Sequence, residues 1–268
     1  MGQIIEFPDI KNLKERIRKL REELEDLLPE KEHLVGVVCE NIQRDYTLVF
    51  GSLEYKLYEA YCEYLRLRRK RDLIQAKKNR GEKPDMEAIE SRLDEEFRDY
   101  KRRLDEQMAE INRAIEKSRM KLLPEEEQKE LKTLYKAIVK KLHPDLNPSI
   151  TEKEKELFYN ATQSYKLGDL VTLRIIYDIA VKGEEDEELS LSNDSLAKEA
   201  ERLEKTVAGI RREMEKIKSN PPYSLKVYLE DERKKAERLN TLRQEIRSFQ
   251  LAIRTQEEAI KDMTGDVL

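Results

Sequence analysis

Apolar residues return at every third or fourth position along most of this chain, an interval that matches one face of an α-helix and not the strict alternation of a half-buried strand. The first series, Ile10, Leu13, Ile17, Leu20, Leu24 and Leu27, is spaced 3-4-3-4-3 as a heptad seam. Val35, Ile42, Tyr46, Val49, Leu53, Leu57, Tyr61, Tyr64 and Leu67 follow, and Leu196, Ala200, Leu203, Val207, Ile210, Met214 and Ile217 keep a 4-3-4-3-4-3 register near the other end. With 41% of residues charged, 6% aromatic, and only 8 Gly and 8 Pro in 268 residues, the composition is that of long helices. So much charge also suits a disordered chain, but here the apolar residues are periodic and not merely scarce, which predicts order. The expected fold class is all-α, with long antiparallel helical hairpins (coiled coils) flanking a small helical unit.

Breakers and caps divide the chain. Asp9 is a good N-cap for a first helix that Pro29 is expected to end near Leu28, and a second helix is expected from about 30 to 79, weakened at Gly36 and Gly51. Gly81 and Pro84 predict a reversal, with a helix re-entered at Asp85. The return arm carries Met86, Ile89, Leu93, Phe97, Tyr100, Leu104, Met108, Ile111 and Ile115, a repeat nearer 11/3 than 7/2, so it should be nearly straight or weakly right-handed. Residues 1–119 thus read as an N-terminal hairpin region and 120–183 as a small unit. The acidic, aperiodic run 184–194 reads as a linker, and 195–268 as an antiparallel hairpin that turns at Pro221 and Pro222. In that hairpin the second arm carries Leu239, Leu242, Ile246, Phe249, Ile253, Ile260 and Met263. It is the longer arm, so Leu225–Ala236 should pack elsewhere or stay single.

Several function classes fall away. The 53 basic and 57 acidic residues are interspersed and sum to a net charge of -4, which predicts no general affinity for nucleic acid or anionic lipid. Arg66–Arg71 is the densest basic run, but it faces an acidic partner arm at 94–99, which predicts a salt-bridged face. Tyr55, Tyr58, Tyr61 and Tyr64 read as hairpin core or a docking patch, and His33 as structural. Cys39 and Cys62, with two histidines in the chain, cannot form a Cys-rich zinc framework and fit a reducing compartment. No apolar stretch approaches the ~20 residues of a bilayer span, and Met1 is followed by a polar segment, so a cytoplasmic protein without a membrane partner is expected. The phosphate-loop, dinucleotide, zinc-protease and hydrolase signatures are all missing, so neither an enzyme nor a cofactor is expected.

The segment 124–182 carries the chemistry. Pro124 and three following glutamates open a helix in which Leu131, Leu134, Tyr135, Ile138 and Leu142 share one face, while Lys129, Lys132, Lys136 and Lys140 share another. Pro144 forces His143 out of the helix, Asn147 and Pro148 favour a loop, and Thr151 with Glu154 form a capping-box pattern for the next helix. Leu157, Phe158, Ala161 and Tyr165 supply that helix's packing face. Gly168 suits its exit, and Asp169 can cap a third helix carrying Leu173, Ile176, Tyr177 and Ala180.

YKAIVKKLHPDLNP resembles the second helix and signature loop of a J-domain, where a basic helix ends in His-Pro-Asp. Phe158 and Tyr165, seven residues apart, resemble the aromatic pair of that family's third helix, and Tyr177-Asp178 the pair ending its fourth; together the likeness covers roughly a quarter of the chain. The resemblance is to J-proteins that share only this domain, since no Gly/Phe-rich segment or CxxCxGxG repeat accompanies it. It implies a co-chaperone in which His143, Pro144 and Asp145 contact the ATPase domain of a DnaK-type chaperone and Asp145 offers a carboxylate to an arginine there. Lys132, Lys136, Lys140 and Lys141 would steer the encounter. An unknown client or complex would be chosen by the coiled coils, which leave a homodimer open. The alternative is a scaffolding coiled-coil protein in which the J-like unit only spaces two hairpins.

Overall fold

The computed structural model describes residues 8–119, 123–181 and 193–265. It is all-α: among the described residues there is helix, turn and loop, and no strand. The helices are α1 (Pro8–His33), α2 (Glu40–Asn79), α3 (Met86–Glu96), α4 (Arg98–Arg119), α5 (Glu125–Leu142), α6 (Glu152–Leu167), α7 (Leu170–Ala180), α8 (Asn193–Ser219), α9 (Val227–Glu230) and α10 (Glu232–Thr264). They form two compact units, one of residues 1–41 with 121–224 and the other of 42–120 with 225–268. The linker expected at 184–194 lies outside the described residues except for its last two, which begin α8.

Local chemistry fixes most helix ends. Gly81 takes a φ of 71° in the reversal after α2, and the Asp85 side chain accepts the Ala88 N–H at 3.1 Å to cap α3. Two expectations fail. Pro29 does not end the first helix; α1 runs through it, and Leu34–Cys39 continue as a wider π-helical turn into α2. Proline removes one helical hydrogen bond, but Leu24, Leu28 and Leu34 are buried on either side of it, and their packing outweighs that loss. The return arm breaks at Phe97 between α3 and α4, where no local sequence signal explains it.

The heptad seams find partners other than the expected ones. Turn signals paired the two helices of 195–268 with each other and named no partner for the first helix; the structure packs α1 along α8, and α2 with α3, α4 and α10. In the first unit, Arg16 meets Glu204, Glu23 meets Arg211 and Lys31 meets Glu213, so later residues of α1 meet later residues of α8 and the two run parallel. Leu24, Leu203, Val207 and Ile210 join Tyr135, Ile138, Val139, Ala161 and Leu173 in one apolar core. Gly36 allows the stem of Lys166 to pass, since a Cβ there would stand 2.7 Å from Lys166 Cγ.

In the second unit, α2 and α3–α4 form the antiparallel hairpin that the reversal at Gly81 predicts. Gln43 bonds Glu110 at the open end and Arg66 pairs with Glu90 and Asp94 near the turn. Arg69 and Lys70 pair with Glu96 and Glu90, so these bases of the run at 66–71 lie on an ion-paired face. Tyr61 and Tyr64 pack on Phe249 of α10, and the residues Leu225, Tyr228 and Leu229 cover Tyr46 and Phe50.

Candidate functional site

The site is built from the end of α5, the loop 143–151 and the start of α6. Three glutamates in the first turn of α5 suit its dipole, with Pro124 at the N-cap. Its inner face, Leu131, Tyr135, Ile138, Val139 and Leu142, is buried. Tyr135 stacks on Tyr165 of α6 with ring centroids 4.3 Å apart and bonds Thr162 at 3.1 Å, which fixes α5 against α6. Burial pushes the Tyr165 hydroxyl up to about 12. His33 Nδ1 lies 2.9 Å from that hydroxyl, which ties α1 to the same pair.

At His143 the backbone turns extended, as the following proline requires. The chain then reverses tightly, because the His143 carbonyl accepts the N–H groups of Leu146 at 3.1 Å and Asn147 at 2.9 Å. His143 Nδ1 accepts the Asp145 N–H at 3.0 Å, so its ring in the neutral form carries its proton on Nε2. The imidazole packs edge-on against Phe158, 5.1 Å between centroids. Burial lowers its pKa, Asp145 opposing and Lys31 adding to the shift, so the neutral ring is favoured. Leu146 is buried in the core, and Asn147 Nδ2 donates to the carbonyls of Lys140 and Lys141 at 2.9 and 2.8 Å, closing the end of α5. The capping box is complete: the Glu154 N–H reaches Thr151 Oγ1 and the Glu154 carboxylate accepts the Thr151 N–H at 2.7 Å. The loop is therefore pinned at His143, Leu146 and Asn147, with Pro144 exposed and Asp145 half-buried.

The structure brings Lys132, Lys136 and Lys140 to the exposed side of α5, with Lys141 half-buried beside them. Two of these lysines have partners on α1: Lys136 pairs with Asp26 at 2.5 Å and Lys140 with Glu25 at 3.4 Å. The Asp145 carbonyl accepts from Arg202 Nη1 of α8 at 3.1 Å. Arg202 is held by Glu199 through two bonds of 2.8 and 2.9 Å, and Arg21 of α1 approaches the same carboxylate at 3.6 Å. Sequence reasoning found none of Glu25, Asp26, Glu199 or Arg202. The Glu199–Arg202 spacing shows a pair on one helix, but its placement over the loop depends on how α8 docks.

Elsewhere the chemistry is sparse. In the second unit an open cleft beside α2 mixes Glu59, Glu63 and Asp94 with Arg66 and Lys101, and among the described residues no group of three His, Cys, Asp or Glu could hold a metal ion. No helix among them is long and apolar enough to cross a membrane. Comparison with protein-family models, curated proteins and solved structures finds no match to this chain.

Proposed function

We propose that this chain is a co-chaperone that recruits a DnaK-type ATPase chaperone and stimulates its ATP hydrolysis through the loop His143-Pro144-Asp145. The observation that carries this reading is the division of labour in the loop. His143, Leu146 and Asn147 are spent on holding its shape, while Pro144 is exposed and Asp145 is half-open at the tip of a basic helix. A rigid loop loses little conformational freedom on binding. The Asp145 carboxylate would take a charge-assisted bond from an arginine of the partner, and the lysines of α5 would speed encounter with an acidic surface in a salt-dependent way. The chain itself brings no catalytic group to the reaction, and the long helical pairs would choose the client or complex.

The test is the steady-state ATPase rate of a DnaK-type chaperone with wild type and with Asp145→Asn. The bonds described for Asp145 use its main chain, so the substitution removes charge and leaves the loop's shape. Stimulation by wild type that Asp145→Asn largely abolishes is expected; equal rates refute the reading. The scaffold alternative draws support from the contacts of Arg202, Glu25 and Asp26 with the loop and the lysines. Pull-down with the chaperone in ATP separates the two, because capture that depends on His143 and Asp145 and falls with salt contradicts a scaffold.

A further inference from the structure

We infer that the α1–α8 pair is an autoinhibitory cover for this loop, holding two lysines of α5 and setting a competing cation beside Asp145. The inference rests on the co-chaperone reading and names how that site is regulated. The cover presents both signs of charge where a partner would have to present them. On the side of α5, Asp26 and Glu25 take Lys136 and Lys140, and His33 lies close enough to Lys132 for that ammonium to lower its pKa, after burial. Along α1 from Asp26 back to Glu25 the pairs move down α5 from Lys136 to Lys140. At the loop the cation is Arg202. It bonds the Asp145 carbonyl at 3.1 Å, and the Asp145 charge in turn raises the Arg202 pKa, after the larger effect of Glu199. Glu199, bonded to Arg202 and approached by Arg21, couples the two helices of the cover.

The polar contacts of the cover can open while the apolar core shared by α1, α8 and α5 stays packed. The Lys136 and Lys140 side chains remain 55% and 52% exposed within their pairs, and ion pairs at that exposure are individually weak. A partner that needs these lysines and Asp145 therefore meets a site open for only part of the time, and its apparent affinity is reduced by that fraction. Any molecule that binds Glu25, Asp26 or Arg202 raises the fraction, which would link occupancy of those side chains to chaperone recruitment.

The experiment uses the full chain. Glu25→Gln/Asp26→Asn/Arg202→Gln removes the competing charges and leaves every residue of the loop and the lysine row. In the ATPase assay with a DnaK-type chaperone, the concentration giving half-maximal stimulation is expected to fall about three- to tenfold relative to wild type. Asp145→Asn added to the triple variant is expected to abolish the gain. Stimulation by the triple variant alone, with an inactive wild type, would also support the cover. If wild type stimulates, Asp145→Asn does not, and the triple variant equals wild type, the cover is refuted and the co-chaperone reading stands. If neither wild type nor the triple variant stimulates and both melt alike by circular dichroism, both ideas fall. Hydrogen exchange tests the contact without any chaperone: amides of 143–147 should exchange several-fold faster in Arg202→Gln, and equal exchange would overturn the cover.

Discussion

Asn147 is the residue on which the shape of the loop depends most visibly. The last carbonyls of a helix lack intrahelical partners. In α5, the Val139 carbonyl is taken by the His143 N–H, while those of Lys140 and Lys141 are taken by Asn147 Nδ2 at 2.9 and 2.8 Å. Asn147→Ala removes both bonds and leaves the main-chain turn from the His143 carbonyl in place. Each such bond contributes about 0.5–1.5 kcal/mol, and water can reach the exposed end of α5, so the loss should be about 1–2 kcal/mol. Asn147→Asp is nearly isosteric but brings a negative charge to two carbonyl oxygens at the negative end of a helix, a further cost of about 0.3–1 kcal/mol. The expected order of stability is wild type, then Asn147→Ala, then Asn147→Asp. Urea unfolding followed by far-ultraviolet circular dichroism reads it, with the near-ultraviolet signal of the chain's 12 tyrosines as a second probe of packing. If Asn147→Asp proves as stable as Asn147→Ala or wild type, the amide is not capping the helix.

Acid should weaken the same unit. His33 and His143 both have pKa values lowered from 6.5, chiefly by burial, so the folded state binds protons less readily than the unfolded one. Their contribution is fully present above 6.5 and is lost as pH falls below it; the acid-side loss between pH 7.5 and 5.5 should shrink in His143→Gln, as read by urea midpoints. Gly168→Ala should lower the melting point of the unit more than Gly81→Ala lowers that of its own. Both glycines sit at φ near 70°, a strain of about 1–2 kcal/mol for alanine, but only at Gly168 would the added Cβ meet a neighbour, Leu123 Cδ1 at 3.1 Å.

What the sequence made legible was whatever local chemistry decides. Asp85, Thr151 with Glu154, and Asp169 cap helices through their side chains and Gly168 ends one through its left-handed backbone, each where the sequence predicts, since each acts on backbone within a few residues. His143 is extended because its neighbour is proline. Pro29 was misread for the opposite reason: a local penalty met buried leucines on both sides, and burial is a tertiary quantity. Asn147 read as a loop former, and its second role at the end of α5 appears only once the chain has turned back on His143.

The choice of helix partners was illegible on principle. A heptad seam states that a helix has an apolar partner and says nothing about which one, so α1 could serve α2 or α8 equally well by pattern. Proximity along the chain favours antiparallel neighbours joined by short turns, and α2 with α3 obeys that. A parallel pair cannot be closed by a short turn, so α1 and α8 are brought together by all of the chain between them. That connectivity bears on the site. Because α5, α6 and α7 lie in sequence between the two members of a parallel pair, pairing α1 with α8 closes a loop of chain that contains the His143–Asp145 segment and brings the charges of both helices beside it. Glu25, Asp26 and Arg202 thus reach the lysine row and the loop as a consequence of the order of elements, and no motif within 124–182 could have announced them.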